Sequence, residues 1–163
     1  MTQLVDVLLI ATILGTGIAA GVFFAFSSFV IQGLDRLPPA DAARAMREIN
    51  VTAVRPPFML ALFGSALLTA VLIVVALTGA LDDGTWWAIA GAVVYLVGAI
   101  GVTAGANVPR NNRLAAAPAT DAAALAAAWT AFRPGWQAWN HVRTIACSVA
   151  CVGFVLALLA SAG

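Results

Sequence analysis

The sequence predicts an all-α integral membrane protein, a four-helix bundle with short interfacial helices in two of its loops. Three observations carry that reading. The chain is 63% hydrophobic and 9% charged over 163 residues, whereas soluble domains carry about 25% charged residues. Four stretches, Val7 to Leu34, Pro56 to Leu81, Gly84 to Pro109 and Thr144 to Gly163, contain no Asp, Glu, Lys or Arg, and roughly 20 apolar residues suffice for a helix to cross a bilayer. These stretches also lack polar alternation, and in lipid only helices or closed barrels satisfy the backbone. A single transmembrane domain over residues 1–163 follows, with spans at about 5–34, 57–80, 85–108 and 141–162 and interfacial helices at about 39–54 and 120–132.

The first span is too long for a removable signal peptide, whose apolar region runs roughly 7–15 residues, and it has no basic leader. Its Phe23, Phe24, Phe26 and Phe29 form an aromatic surface, followed by Ser27, Ser28 and Gln32. Pro38-Pro39 stops it and opens an amphipathic helix. There Ala42, Ala45, Met46, Ile49 and Ala53 share a face, opposite Arg44, Glu48 and Arg55, as in a helix lying on head groups. The second span ends at a tight loop with Asp82, Asp83 and Gly84, and the third begins at the interfacial pair Trp86-Trp87. Gly17-x-x-x-Gly21 and Gly101-x-x-x-Gly105 have the small-residue spacing that lets backbones approach, within one bundle or across a dimer seam. Pro109 disfavours helical angles at Val108, so the third helix is expected to open at Asn107. A short alanine-rich helix over 120–132 then packs on the bundle mouth, ahead of the fourth span.

An even number of spans puts both termini on one side. All eight basic residues are arginines (Arg36, Arg44, Arg47, Arg55, Arg110, Arg113, Arg133, Arg143), and all fall on the other side; the termini's side has Asp6, Asp82 and Asp83. Basic loops favour the cytoplasm. The expected setting is a bacterial plasma membrane, with the arginine-rich loops cytoplasmic and both termini outside.

Chemistry is expected at the arginine-rich end. At about 100° per residue, Asn140, His141, Thr144, Cys147, Ser148 and Cys151 share one band about 120° wide on the fourth helix. Val142, Ile145, Val149 and Val152 lie opposite, and Arg143 borders the band. A polar stripe on a spanning helix faces the bundle interior or a cavity. Antiparallel neighbours would bring Asn107, Asn111 and Asn112 near Asn140 and His141. The two cysteines, Cys147 and Cys151, are four apart on one helix and read as small packing residues. His141 is the sole histidine, and histidine is the residue type most often used as a general base; a histidine beside tryptophans also suits a plain interfacial anchor. The absence of a second histidine excludes a bis-histidine haem or a His-rich metal centre within one chain. No carboxylate lies deep in a span, which argues against an ion-coupled transporter. No phosphate loop or dinucleotide fingerprint occurs, and no nucleic-acid partner is expected.

"GVFFAFSSFV", "AMREIN", "FMLALFG", "NVPRNNRLA" and "WQAWNHVRT" together resemble the motifs of the anthrone-oxygenase-like membrane proteins, across nearly the whole chain. The resemblance implies oxidation of a flat hydrophobic substrate, an anthrone-like polyketide or aromatic, by base-assisted reaction with O2. It points to Asn107, Pro109, Asn111, Trp136, Asn140, His141 and Arg143 as functional positions. His141 would then be the base, and Asn140, Asn107 and Arg143 would hold the oxyanion. Phe23, Phe26, Trp136, Trp139 and Asn111 would hold the aromatic body. Such a reaction requires no cofactor or metal. Three alternatives stay open: a non-catalytic protein binding lipid, quinone or a hydrophobic metabolite; a subunit of an assembly, including a homo-oligomer; and a haem or metal site ligated through His141.

Overall fold

The computed structural model describes residues 3–162, and among them every regular element is helical. Four helices are long and apolar enough to cross a membrane: α1 (Gln3–Leu34), α3 (Pro56–Leu77), α4 (Asp82–Ala115), and the Ala122–Ser161 stretch of α5 (Ala122–Ala162). The chain is a multi-pass membrane protein. The remaining helix, α2 (Pro39–Ala53), begins at the predicted proline, whose fixed φ and missing N–H suit a first helical turn.

Two apolar cores divide the molecule. The larger lies among the spans and includes Leu9, Leu72, Tyr95 and Phe154. The smaller forms a cap at the arginine-bearing end, where Ile31, Met46, Leu114, Leu125, Trp129 and Phe132 pack together. The apolar face of α2 (Ala42, Ala43, Met46) is therefore buried against protein, chiefly α5, and not laid on head groups.

The expected break between a helix over 120–132 and a span from 141 does not exist. α5 is one helix of 41 residues running through Pro134, roughly 60 Å at 1.5 Å per residue. That is twice a hydrocarbon core of about 30 Å, so its first half builds the cap. An interior proline costs about 3 kcal/mol. Trp129, Phe132 and Trp136 on either side of it are all at least 95% buried, and burying each large apolar side chain is worth about 1.5–3 kcal/mol. Packing wins.

Nor does α4 open at Asn107. It passes through a π-helical turn, Thr103–Asn107, and continues past Pro109 to Ala115. A widened turn moves the preceding carbonyls away from the proline ring, and the Arg110 guanidinium donates to the Ala106 carbonyl at 2.8 Å. Further π-helical turns lie at Phe26–Val30 in α1, Leu60–Gly64 in α3 and Leu96–Gly101 in α4.

The glycines that allow close packing are not those of the two Gly-x-x-x-Gly motifs. Gly21 and Gly105 have no neighbour within 4 Å of an added Cβ. The close approach belongs to Gly84, Gly91 and Gly98, seven residues apart on α4. An added Cβ there would run into the Ala157 carbonyl, lie 3.1 Å from the Ala150 carbonyl and lie 2.5 Å from the Ala146 Cβ of α5, respectively. A seven-residue repeat keeps one face toward a single partner along the whole contact, which a lone four-residue spacing cannot do. Gly98→Ala is expected to lower stability by about 1–3 kcal/mol through overpacking. Gly105→Ala should raise it by up to about 1 kcal/mol through helix propensity. Denaturation in detergent micelles reads both, and equal effects would refute this seam.

Candidate functional site

Where α5 passes from the spans into the cap, the two cores leave between them a cavity of about 460 Å³, within the range of small-molecule sites. Phe23 and Phe26 of α1, Ile49 and Asn50 of α2, Phe58 and Leu62 of α3, and Thr103 and Asn111 of α4 line it, together with Trp136, Asn140 and Arg143 of α5. Apart from a few amides, hydroxyls and one guanidinium, the lining is apolar. Three of the four π-helical turns contribute to it, through Phe26, through Leu62 and Phe63, and through Thr103. Such turns occur often at functional sites, where they re-aim side chains.

Arg143 is the site's charge. It is 5% exposed. Its Nη2 donates to Asn140 Oδ1 at 2.7 Å and its Nη1 to Thr103 Oγ1 at 3.4 Å. The guanidinium carbon lies 4.1 Å from the Phe23 ring centroid and 5.4 Å from that of Trp136. No carboxylate reaches it: among the described residues the ion pairs are Arg44–Asp41 and Arg133–Asp35, both well exposed on the cap. Its Nε has no protein partner. A buried cation in this state is held by dipoles and π faces alone.

Those holders are themselves fixed. Asn140 Nδ2 donates to the Phe23 carbonyl and to Ser27 Oγ, each at 2.8 Å, so its carbonyl oxygen is turned toward Arg143. Ser27 Oγ also meets Thr144 Oγ1 at 3.0 Å. Trp136 Nε1 donates to Asn111 Oδ1 at 2.8 Å, and Asn107 Nδ2 to the Trp136 carbonyl at 3.2 Å. The Trp136 ring packs edge-on to Phe26 at 5.6 Å. Asn107 thus supports the site from behind Trp136 and does not line the cavity.

The structure brings together Phe23, Phe26, Asn107, Asn111, Trp136, Asn140 and Arg143. It does not bring in His141 or Trp139. His141 is exposed and absent from the cavity wall, Trp139 is 40% exposed on the outer surface, and Asn112 is exposed as well. The expected placement of the imidazole as a base in the cavity is therefore corrected. Its reason is angular: the buried face of α5 runs through Trp136, Asn140, Arg143, Cys147, Ala150 and Phe154, in steps of three and four residues. His141 lies across the helix from that line. Averaging all polar residues into one stripe rotated the predicted interior toward Ser148, which is exposed. Of the first-helix phenylalanines, Phe24 and Phe29 are 59% and 63% exposed and face outward. Both cysteines are free, Cys147 buried and Cys151 partly so.

Sequence reasoning missed Thr103 and Asn50. Thr103 lies four residues before Asn107, on the same helical face. Asn50 follows Met46 by four on the buried side of α2, and its Nδ2 is buried without a partner. Helical spacing from residues already singled out was the available signal for both.

Asn140 and His141 are adjacent in sequence and opposite in surroundings. Asn140→Ala removes three hydrogen bonds, one of them to a charged group, and is expected to cost roughly 3 kcal/mol. His141→Ala should stay within about 0.5 kcal/mol, as for a surface position. Unfolding in detergent with similar losses for the two would contradict this orientation of α5.

Residues 58–153, more than half of the chain and all of α4 with most of α3 and α5, match the family model described as anthrone oxygenase. No curated protein and no solved structure matches the chain. The matched segment carries Thr103, Asn111, Trp136, Asn140 and Arg143 of the cavity wall, and Asn107 behind it. The chain belongs to the anthrone oxygenase family.

Proposed function

We propose that the protein is a membrane-embedded oxygenase. It takes a flat, hydrophobic aromatic ketone of the anthrone type and oxidises the ring CH2 to a carbonyl with O2. The observation that carries this reading is Arg143, buried without a counter-charge in the wall of an apolar cavity. An oxyanion developing on the substrate's keto oxygen is the group that such a cation favours most, because a water-poor site magnifies the attraction. Phe23, Phe26 and Trp136 provide faces and edges for the fused rings.

The chemistry balances without a redox cofactor. Loss of one proton from the CH2 leaves a carbanion whose charge spreads onto the keto oxygen beside Arg143. That anion reduces O2 as a C–O bond forms, and protonation gives a hydroperoxide. Loss of water from the hydroperoxide leaves the second carbonyl, so one O atom of O2 enters the product and the other leaves as water. By the concentration of arginines at the cap, we place the cap in the cytoplasm and the termini outside. Val54 and Phe63, exposed by 67% and 51% at the cavity rim, suit a substrate arriving from the bilayer.

Oxygen uptake with anthrone, corrected for autoxidation, tests this. Arg143→Gln is expected to lower kcat/KM roughly 100- to 1000-fold, as for loss of an oxyanion donor, and His141→Gln to leave it as it is. Uptake no faster than autoxidation for the unaltered protein would rule the oxygenase reading out.

A further inference from the structure

We infer that the cavity takes its substrate as an anion, the proton passing from substrate to water and never to a protein side chain. This rests on the oxygenase reading above and specifies its ionisation step.

The residues that line the cavity include no carboxylate, imidazole, thiol or amine; Arg143 is their one ionisable group. The titratable groups nearest to it are also without a part. Cys147, one turn further along α5, is fully buried, and Tyr95 of α4 donates its hydroxyl to the Leu62 carbonyl at 2.9 Å. α1, α2 and α3 turn no titratable side chain into the cavity. His141, the residue that chemistry alone would nominate, faces away. A base-assisted reaction here has no base.

What the cavity offers are donors. Arg143 of α5 and Asn50 of α2 both line the cavity, and Arg143 Nε and Asn50 Nδ2 have no acceptor in the protein. A neutral enol or phenol would bring a donor of its own to these side chains, whereas an enolate or phenolate brings acceptors only. Charge points the same way: an opposite charge within about 4–6 Å lowers an acid's pKa by about 1–3 units. That alone raises the ionised fraction about 10- to 1000-fold at a pH below the substrate's own pKa. The substrate class follows. It is a fused aromatic whose CH2 or OH is acidified by conjugation to a carbonyl, so that the C–H or O–H bond breaks to release H⁺ to water as the oxygen reaches Arg143.

The test uses the full chain in phospholipid nanodiscs with 2-hydroxyanthraquinone, a flat phenol that O2 does not oxidise and whose phenolate absorbs at longer wavelength. In the presence of protein its ionisation midpoint should fall by about one pH unit or more relative to empty nanodiscs, a tenfold change, and Arg143→Gln should abolish the fall. A midpoint that matches empty nanodiscs, through absent binding or unshifted ionisation, overturns the proposal. Wild-type kinetics give a second reading that needs no variant. Across anthrones of graded acidity, the acid limb of kcat/KM against pH should move with each substrate's own acidity. A limb fixed across the series would reveal a protein base and overturn it too. Absent O2 uptake together with a shifted dye midpoint would remove the oxygenase activity and leave the anion site standing.

Discussion

A guanidinium that leaves water must replace the partners it loses, and the region between the two cores is organised around that demand at Arg143. Removing an ion from water costs several kcal/mol even after the protein relaxes. A hydrogen bond to a charged group returns about 1.5–3 kcal/mol, and a desolvated cation–π contact about 2. Asn140, Phe23 and Trp136 supply these contacts, and two of them are fixed by a further bond, Asn140 to α1 and Trp136 to α4. One buried charge thereby ties α5 to both α1 and α4.

The π-helical turns belong to the same arrangement. A regular α-helix closes all of its carbonyls on itself, leaving few polar contacts for a neighbour. Where the ladder widens, side chains step in: Gln32 donates to the Ser27 carbonyl and Tyr95 to that of Leu62, both within such turns. These turns cluster at the cavity, so the backbone irregularity that opens volume there also supplies acceptors that lipid could not.

The spans were legible because charge is excluded from long runs, a constraint the bilayer imposes residue by residue. Pro38-Pro39 was legible as a start because proline suits a first turn. Pro134 and Pro109 were not, since local propensity says break while three buried aromatics, or a widened turn, say continue; only the tertiary partners decide. Of the cavity's lining, Phe23, Trp136, Asn140 and Arg143 could be singled out from the sequence, but the facing direction of α5 could not. A helical wheel weighted by polarity cannot tell an asparagine facing a cavity from a histidine facing out. The alternation of three- and four-residue steps from Leu125 to Ala157, buried at nearly every step, held the answer. It was obscured because alanine, cysteine, asparagine and arginine occupy positions where leucine is expected. The glycine seam was hidden for the same reason: its period is seven, and the eye goes to four.

The walls of the cavity are not equally anchored. α1, α3, α4 and α5 each run into the bilayer, whereas α2 is joined to them only by a short bend after Leu34 and by Val54 and Arg55 ahead of Pro56. The apolar face of α2, Ala42, Ala43 and Met46, is buried in the cap, chiefly against α5. The wall that carries Asn50 is therefore held by packing outside the membrane-crossing helices, and a substitution that loosens the cap would reshape the cavity without touching any span.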